Sequence, residues 1–186
     1  PFCVINSDDY YGREAYQIMA DHLSKIDSNS VEHAMVGYVL RNTMSRSGSV
    51  ARAVCTVKDG YLVSMRENTK IYYEGEKIIS SLDGQDRQMS GDEWVSMNFF
   101  GFAPSVLPSF EKFFTDFLEK DILSEKAECY LPEGSSKLVT SGEGKIKFYT
   151  TQERWFGMTY QEDRAIVKDE IAQKIADGYY PTKLWV

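Results

Sequence analysis

The residues best suited to chemistry stand close to the start of the sequence, in Val4-Ile5-Asn6-Ser7-Asp8-Asp9-Tyr10-Tyr11-Gly12. An apolar run ends there in two adjacent carboxylates, and in open α/β sheets ligands bind beyond the carboxyl ends of strands. Neighbouring carboxylates repel, and a divalent cation relieves that repulsion. Magnesium takes one or two of them and completes its octahedron with water and substrate phosphates. Asp8 or Asp9 could equally cap a helix beginning at Arg13, and spacing alone divides evenly between the two roles. A second group, Arg66-Glu67-Asn68-Thr69-Lys70, sets a carboxylate three residues before an ammonium, so that Glu67 could accept hydroxyls while Lys70 pairs with a phosphate. Charged strand ends are usually just solvated, which favours that plainer account by about three to one. Asn98 is an amide inside the apolar Val95-Ser96-Met97-Asn98-Phe99-Phe100-Gly101; it either meets a ligand or satisfies buried backbone.

Other chemistries find little support. The sequence has no G-x-x-x-x-G-K-[ST], no G-x-S-x-G and no H-E-x-x-H. Its histidines are only His22 and His33, too few to favour a Ser-His-Asp or Cys-His site. Cys3, Cys55 and Cys129 form no C-x-x-C pair, so zinc is not expected and free thiols in a reducing cytoplasm are. Lys and Arg total 21 against 28 Asp and Glu, a net charge of −7. Without a basic cluster this argues against nucleic acid and against a membrane-surface patch. No apolar run approaches the roughly 18 residues of a membrane span. The composition is that of a soluble globular protein.

Positioning these residues requires strands separated by helices. Residues 2–6 predict a short buried strand, and its place at the head of the sequence suggests part of a longer chain. Residues 13–25 have helical spacing, with Tyr16, Met19, Ala20 and Leu23 on one face. Residues 34–40 predict a strand, and 50–57 and 61–65 a hairpin turning at Lys58-Asp59-Gly60. After a strand at 77–81, residues 83–92 predict a polar loop. Residues 93–102 predict an aromatic strand in which Val95, Met97 and Phe99 alternate with Ser96, Asn98 and Phe100. The amphipathic segment 104–120, carrying Phe110, Phe113, Phe114 and Phe117, predicts a core helix rather than a ligand wall by about nine to one. A short helix at 132–139 and strands at 145–150 and 154–160 follow. The last helix, 162–176, turns Ile166, Ile171 and Ile175 inward and stops at Gly178. Strands and helices alternate without a Ser/Pro/Gly linker, which predicts an α/β layout with a mixed sheet and one unit over residues 1–186.

The order of these segments resembles the C-terminal part of the bacterial sugar-nucleotide pyrophosphorylases, a nucleotidyltransferase family of the glucose-1-phosphate uridylyl- and thymidylyltransferase kind. Val4-Ile5-Asn6-Ser7-Asp8 resembles the family's strand followed by Asn-Gly-Asp. Met35-Val36-Gly37-Tyr38, Gly48-Ser49-Val50-Ala51-Arg52 and Asp59-Gly60-Tyr61-Leu62 with Glu67 resemble its central hairpin. Val95 to Phe102 resembles the strand that closes over the sugar, and Glu128-Cys129-Tyr130-Leu131-Pro132 the acidic segment that touches sugar hydroxyls. Trp155-Phe156-Gly157-Met158-Thr159-Tyr160-Gln161-Glu162-Asp163 resembles the family's "Trp-x-Asp-x-Gly-Thr-Pro-Glu-Asp".

The resemblance implies a GT-A-like Rossmann nucleotidyltransferase core without its N-terminal nucleotide-binding half, and hence no turnover by residues 1–186 alone. It implies that a nucleoside triphosphate and a sugar-1-phosphate, or a similar phosphorylated alcohol, give a nucleotide-sugar and pyrophosphate. Asp8 would hold Mg2+ with Asp163 as a second ligand, Lys70 would orient the acceptor phosphate, and Glu67, Asn98 and Glu128 would read the acceptor. The implied partners are the two substrates in the cytoplasm, with a homo-oligomer compatible. Two departures stand out: the Gly-rich nucleotide loop is not in this sequence, and Gly157 occupies the position of the family's second metal-binding Asp. The alternatives are a glycosyltransferase of related fold and a noncatalytic nucleotide- or sugar-binding regulatory domain.

Overall fold

Two Asp-Gly pairs turn the chain back on itself. Asp59 and Gly60 have φ of 53° and 78°, and Asp83 and Gly84 have 53° and 75°. Two consecutive left-handed residues give the turn whose twist matches that of paired strands. A computed structural model describes residues 1–157 and 163–183, the side chain of Asp163 excepted. In chain order the elements are β1 (Phe2–Val4), β2 (Asp9–Tyr10), α1 (Arg13–Leu23), β3 (Glu32–Val39), β4 (Val50–Lys58), β5 (Tyr61–Glu74), β6 (Lys77–Leu82), β7 (Gln85–Met89), β8 (Trp94–Phe102), α2 (Leu107–Asp121), α3 (Leu131–Thr140), β9 (Lys145–Thr151), β10 (Phe156–Gly157) and α4 (Asp163–Ala176).

The fold is not the expected GT-A-like Rossmann core. Five strands form a closed ring: β3 pairs with β8 and β9, β9 with β5, β5 with β4, and β4 with β8. β1, β6 and β7 extend this barrel into an eight-stranded sheet, while β2 and β10 pair separately. The alternation that suggested parallel crossovers fails in the middle of the chain. β4 to β8 follow one another with no α-helix between them, and β3 with β9 is the one parallel pair among the described strands. Consecutive strands joined by tight turns must run antiparallel, and a strongly twisted antiparallel sheet can close on itself.

Burial follows the ring. Met35, Cys55, Leu62, Phe100 and Phe148, one from each ring strand, share one cluster with Leu138 of α3. Val36 and Tyr38, on the other face of β3, pack with Val95, Met97 and Phe99 of β8 under Ala15 and Met19 of α1. The predicted face of the first helix is therefore half right, since Met19 is buried but Tyr16 is 44% exposed. Residues 83–92, expected as a loop, instead hold β7, paired along its length with β6. No described helix is long and apolar enough to cross a membrane.

A buried histidine fastens the barrel to α2. His33 is 1% exposed, and its Nδ1 accepts the backbone N–H of Ala103 at 3.2 Å, where β8 gives way to the turn leading into α2. Burial pulls its pKa from 6.5 down to about 4, and the nearby His22 adds a smaller push in the same direction. Between those values the unfolded chain binds a proton that the folded chain refuses, so stability falls as pH drops through that window, by about 3 kcal/mol at most. The urea midpoint should hold steady above about pH 6.5 and decline towards about pH 4. His33→Asn, whose amide oxygen can accept the same N–H, should flatten the decline; an equally steep decline in His33→Asn would show that His33 is not its source.

Candidate functional site

A concavity of about 1090 Å³ opens where the acidic turn after β1 faces β4, β5 and β8. Asn6, Asp8 and Asp9 line it on one side, Ala51 to Ala53 and Met65, Glu67 and Thr69 on another, and Ser96 to Asn98 on a third. α2, α3 and Tyr130, which precedes α3, complete the wall, with Phe113, Phe117 and Glu133 among the helical residues. Three sequence-predicted residues, Asp8, Glu67 and Asn98, thus meet in one groove.

The acids are not helix caps. Gly12, at φ 81°, is the N-cap of α1 and offers no side chain. The first helical N–H groups are met from elsewhere, that of Arg13 by the Tyr179 hydroxyl at 2.9 Å and that of Glu14 by Glu153 at 3.5 Å. Asp9 is held instead by Asn6, whose Nδ2 donates to Oδ2 at 2.9 Å, and by the Tyr11 hydroxyl at 3.2 Å. That hydroxyl also accepts the Asn6 N–H at 3.0 Å and lies 2.9 Å from the Met97 carbonyl, so its single hydrogen serves Asp9 or Met97. Burial raises the Asp9 pKa above the ordinary carboxylate value; the bonds from Asn6 and Tyr11 pull it back, and the charge of Asp8 pushes it up again. Gly157 pairs with Asp9 across β10 and β2, and a Cβ at 157 would lie 2.6 Å from Asp9 Oδ1. The position where a second metal-binding Asp was looked for is therefore the space that the Asp9 carboxylate needs.

β8 delivers Asn98 by breaking its own register. Gly37 pairs with Ser96 and Met35 with Phe100, so three residues of β8 bulge opposite Val36 alone. Within the bulge Asn98 is left-handed, at φ 60°. Asn tolerates that conformation better than most residues, and bulges commonly re-aim a side chain beside a site.

β5 behaves similarly. Its register steps over Val63, which keeps Leu62, Met65 and Glu67 on the inner side, and slips again where Thr69 and Lys70 oppose Ala51. Thr69 lines the groove but Lys70 does not; its ammonium lies 5.5 Å from the centre of the Tyr72 ring. Burial raises the pKa of Glu67, and Arg52 partly offsets the shift. Glu128 is exposed and lies outside the lining, but its carboxylate takes the hydroxyl of Tyr130, which belongs to the lining. Asp163 opens α4, and its side chain lies outside the described residues. The expectation that 104–120 forms a core helix holds only at its start, where Val106 is buried and Phe110 packs on Phe102; α2 itself differs. None of its residues is buried, Phe114 is 51% exposed, and Phe113 and Phe117 face the groove.

Sequence reasoning overlooked Arg52, Trp155 and the bracing role of Tyr11. A lone arginine between Ala51 and Ala53 in a predicted strand was the available signal for the first. Among the described residues no cluster of three His, Cys, Asp or Glu side chains suits a metal. Asp8 and Asp9, adjacent on an open groove, do supply the one or two carboxylates that magnesium takes from a protein. Comparison with protein-family models finds no match, and comparison with curated proteins finds none either.

Removing the Tyr11 hydroxyl tests this bracing. Tyr11→Phe should cost about 1–3 kcal/mol, because it strands the Asn6 N–H and one acceptor. It should also raise the Asp9 pKa, since the bond from Tyr11 favours the ionised form. Protons compete with a cation for Asp9, so magnesium affinity should begin to fall at a higher pH in the variant. Carboxyl-carbon NMR titration reads the shift directly. An Asp9 titration unmoved by the substitution would show that the hydroxyl does not serve the acid.

Proposed function

We propose that the groove takes a sugar-1-phosphate or similar phosphorylated polyol and that the full-length protein transfers a nucleotidyl group to it from a nucleoside triphosphate, in the cytoplasm. The observation that carries this reading is the meeting of Asp8, Glu67 and Asn98, from three separate segments, on one groove. Chemistry of one kind recurs on unrelated folds, so the reading rests on the site rather than on the fold class. The lining has six carboxylates (Asp8, Asp9, Glu67, Asp116, Asp121 and Glu133) against three cationic side chains (Arg52, Lys120 and Lys137). Such a surface offers many acceptors for sugar hydroxyls and suits the acceptor substrate better than a triphosphate.

Glu67 would accept hydroxyls of the sugar, and the Asn98 amide would both donate and accept. Asp8, with Asp9 beside it, would hold magnesium, which when bound neutralises phosphate charge. The acceptor phosphate is already anionic and needs no general base. The protein's remaining task is to hold the attacking oxygen in line with the α-phosphorus while pyrophosphate departs. Free thiols at Cys3, Cys55 and Cys129 suit a reducing compartment.

Pyrophosphate release from a nucleoside triphosphate, magnesium and glucose 1-phosphate tests the reading in the full-length protein. Asp8→Asn should keep the fold and lose well over tenfold in turnover, as expected when about 3 kcal/mol of transition-state stabilisation disappears. Asp9→Asn should lose less, because its Oδ2 is already engaged by Asn6 and Tyr11. Full activity in Asp8→Asn contradicts the assignment, and release of a nucleoside diphosphate in place of pyrophosphate identifies a glycosyltransferase instead.

A further inference from the structure

Arg52 is a buried cation with no carboxylate at ion-pair distance among the described residues. It is 9% exposed, and it lines the groove. Its Nε donates to Thr43 Oγ1 at 3.1 Å, Nη2 to the Thr43 carbonyl at 2.5 Å and Nη1 to the Ala51 carbonyl at 2.7 Å. All three acceptors are neutral. A guanidinium has five N–H donors, so two remain, one on each terminal nitrogen. The ring of Trp155 covers the group, 4.7 Å from Cζ, and its indole N–H serves the Asp9 carboxylate. The two spare guanidinium donors therefore sit in one corner of an otherwise acidic groove.

Burial alone would expel such a charge, and it draws the Arg52 pKa down to about 10; the charges of Asp9 and Glu67 partly compensate from a distance. A buried guanidinium gains most from an anion that accepts two parallel N–H bonds, and phosphate oxygens match that spacing. We propose that Arg52 is the oxyanion-binding residue of the groove and takes the phosphate monoester of its ligand. This deepens the functional reading above, which assigns the groove a phosphorylated polyol but gives its phosphate no side-chain partner. The carboxylates beside Arg52 then disfavour a free inorganic anion relative to one tethered to a hydroxyl-bearing sugar, because only the sugar offers donors to Glu67 and Asn98.

The test is calorimetric titration of the full-length protein, in a chelator and without metal, with glucose 1-phosphate, glucose, inorganic phosphate and acetate. Glucose 1-phosphate should bind at least tenfold more tightly than glucose, and phosphate more tightly than acetate. Arg52→Met should abolish the preference for the phosphorylated sugar, while Arg52→Lys should keep part of it by retaining charge without the fork. An unchanged preference in a folded Arg52→Met overturns the proposal, as does acetate binding as well as phosphate. If Arg52→Met fails to fold, Glu67→Gln decides, since removing that charge beside Arg52 should tighten inorganic phosphate by about twofold or more; unchanged or weaker binding overturns the proposal. The two readings fail separately. Loss of the preference in Arg52→Met, with no transfer activity found in any variant, supports the anion site and removes the transferase. Transfer that depends on Asp8 but keeps its KM for glucose 1-phosphate in Arg52→Met does the reverse.

Discussion

One phenol hydroxyl ties the two halves of the groove together. Tyr11 is fully buried, and its ring packs at a tilt against Phe99, 4.9 Å away, in the cluster under α1. Its hydroxyl reaches the Asn6 N–H and the Asp9 carboxylate on one side and the Met97 carbonyl on the other. At its backbone, the Tyr38 hydroxyl donates to the Tyr11 carbonyl at 2.7 Å. The acidic turn is thereby tied to one rigid side chain through the Asn6 N–H, and the single hydroxyl hydrogen adds either the Asp9 carboxylate or the Met97 carbonyl of the bulge that presents Asn98. That constraint is costly to break in a core of low polarity.

The remainder of the fold makes that arrangement affordable. Tyr179 and Glu153 meet the first N–H groups of α1, which releases Asp8 and Asp9 from the capping task their position suggests. Tyr10, next to Tyr11, stacks on Phe156 at 4.3 Å and bonds Tyr180 through its hydroxyl, so the other side of the turn is pinned from the C-terminal segment. Closure of the ring brings β4 and β8 into register at only two pairs, Ala53 with Ser96 and Val54 with Val95. Beyond those pairs the strands are free to diverge, and the groove opens between them, with Arg52 on one wall and Asn98 on the other.

Local signals survived translation into structure better than distant ones. The alternation of Val95, Met97 and Phe99 with Ser96 and Asn98 was legible because a strand has period two, and the Asp59-Gly60 turn because few residues tolerate two left-handed positions. The Asp83-Gly84 turn carried the same signal, obscured by the polar, exposed residues of β7. Ring closure was not legible, since it depends on short pairings between strands far apart in sequence. The amphipathic pattern of α2 was real, but periodicity cannot say whether an apolar face meets a core or the wall of a groove. Glu67 and Lys70 looked like one functional pair until the bulge at Thr69 and Lys70 separated them. Such bulges have no sequence signature strong enough to predict where a charged side chain will point. Asp8 was found because it follows the end of an apolar run, Glu67 because it stands three residues before Lys70, and Asn98 because it interrupts an apolar run. Arg52 does so too, and only its burial, visible in three dimensions, marks it out.

The claim at the centre of this account is that the acidic turn, β5 and β8 enclose one site for a cation and a phosphorylated sugar. Paramagnetic broadening of amide signals by sub-stoichiometric Mn2+, in the presence of glucose 1-phosphate, tests it most directly. The account predicts that amides of residues 6–11 fade first, followed by those of 51–53, 67–69 and 96–98, and that Mg2+ restores them together. Broadening centred on the exposed acids of the β6–β7 hairpin, with the groove amides untouched, would contradict it.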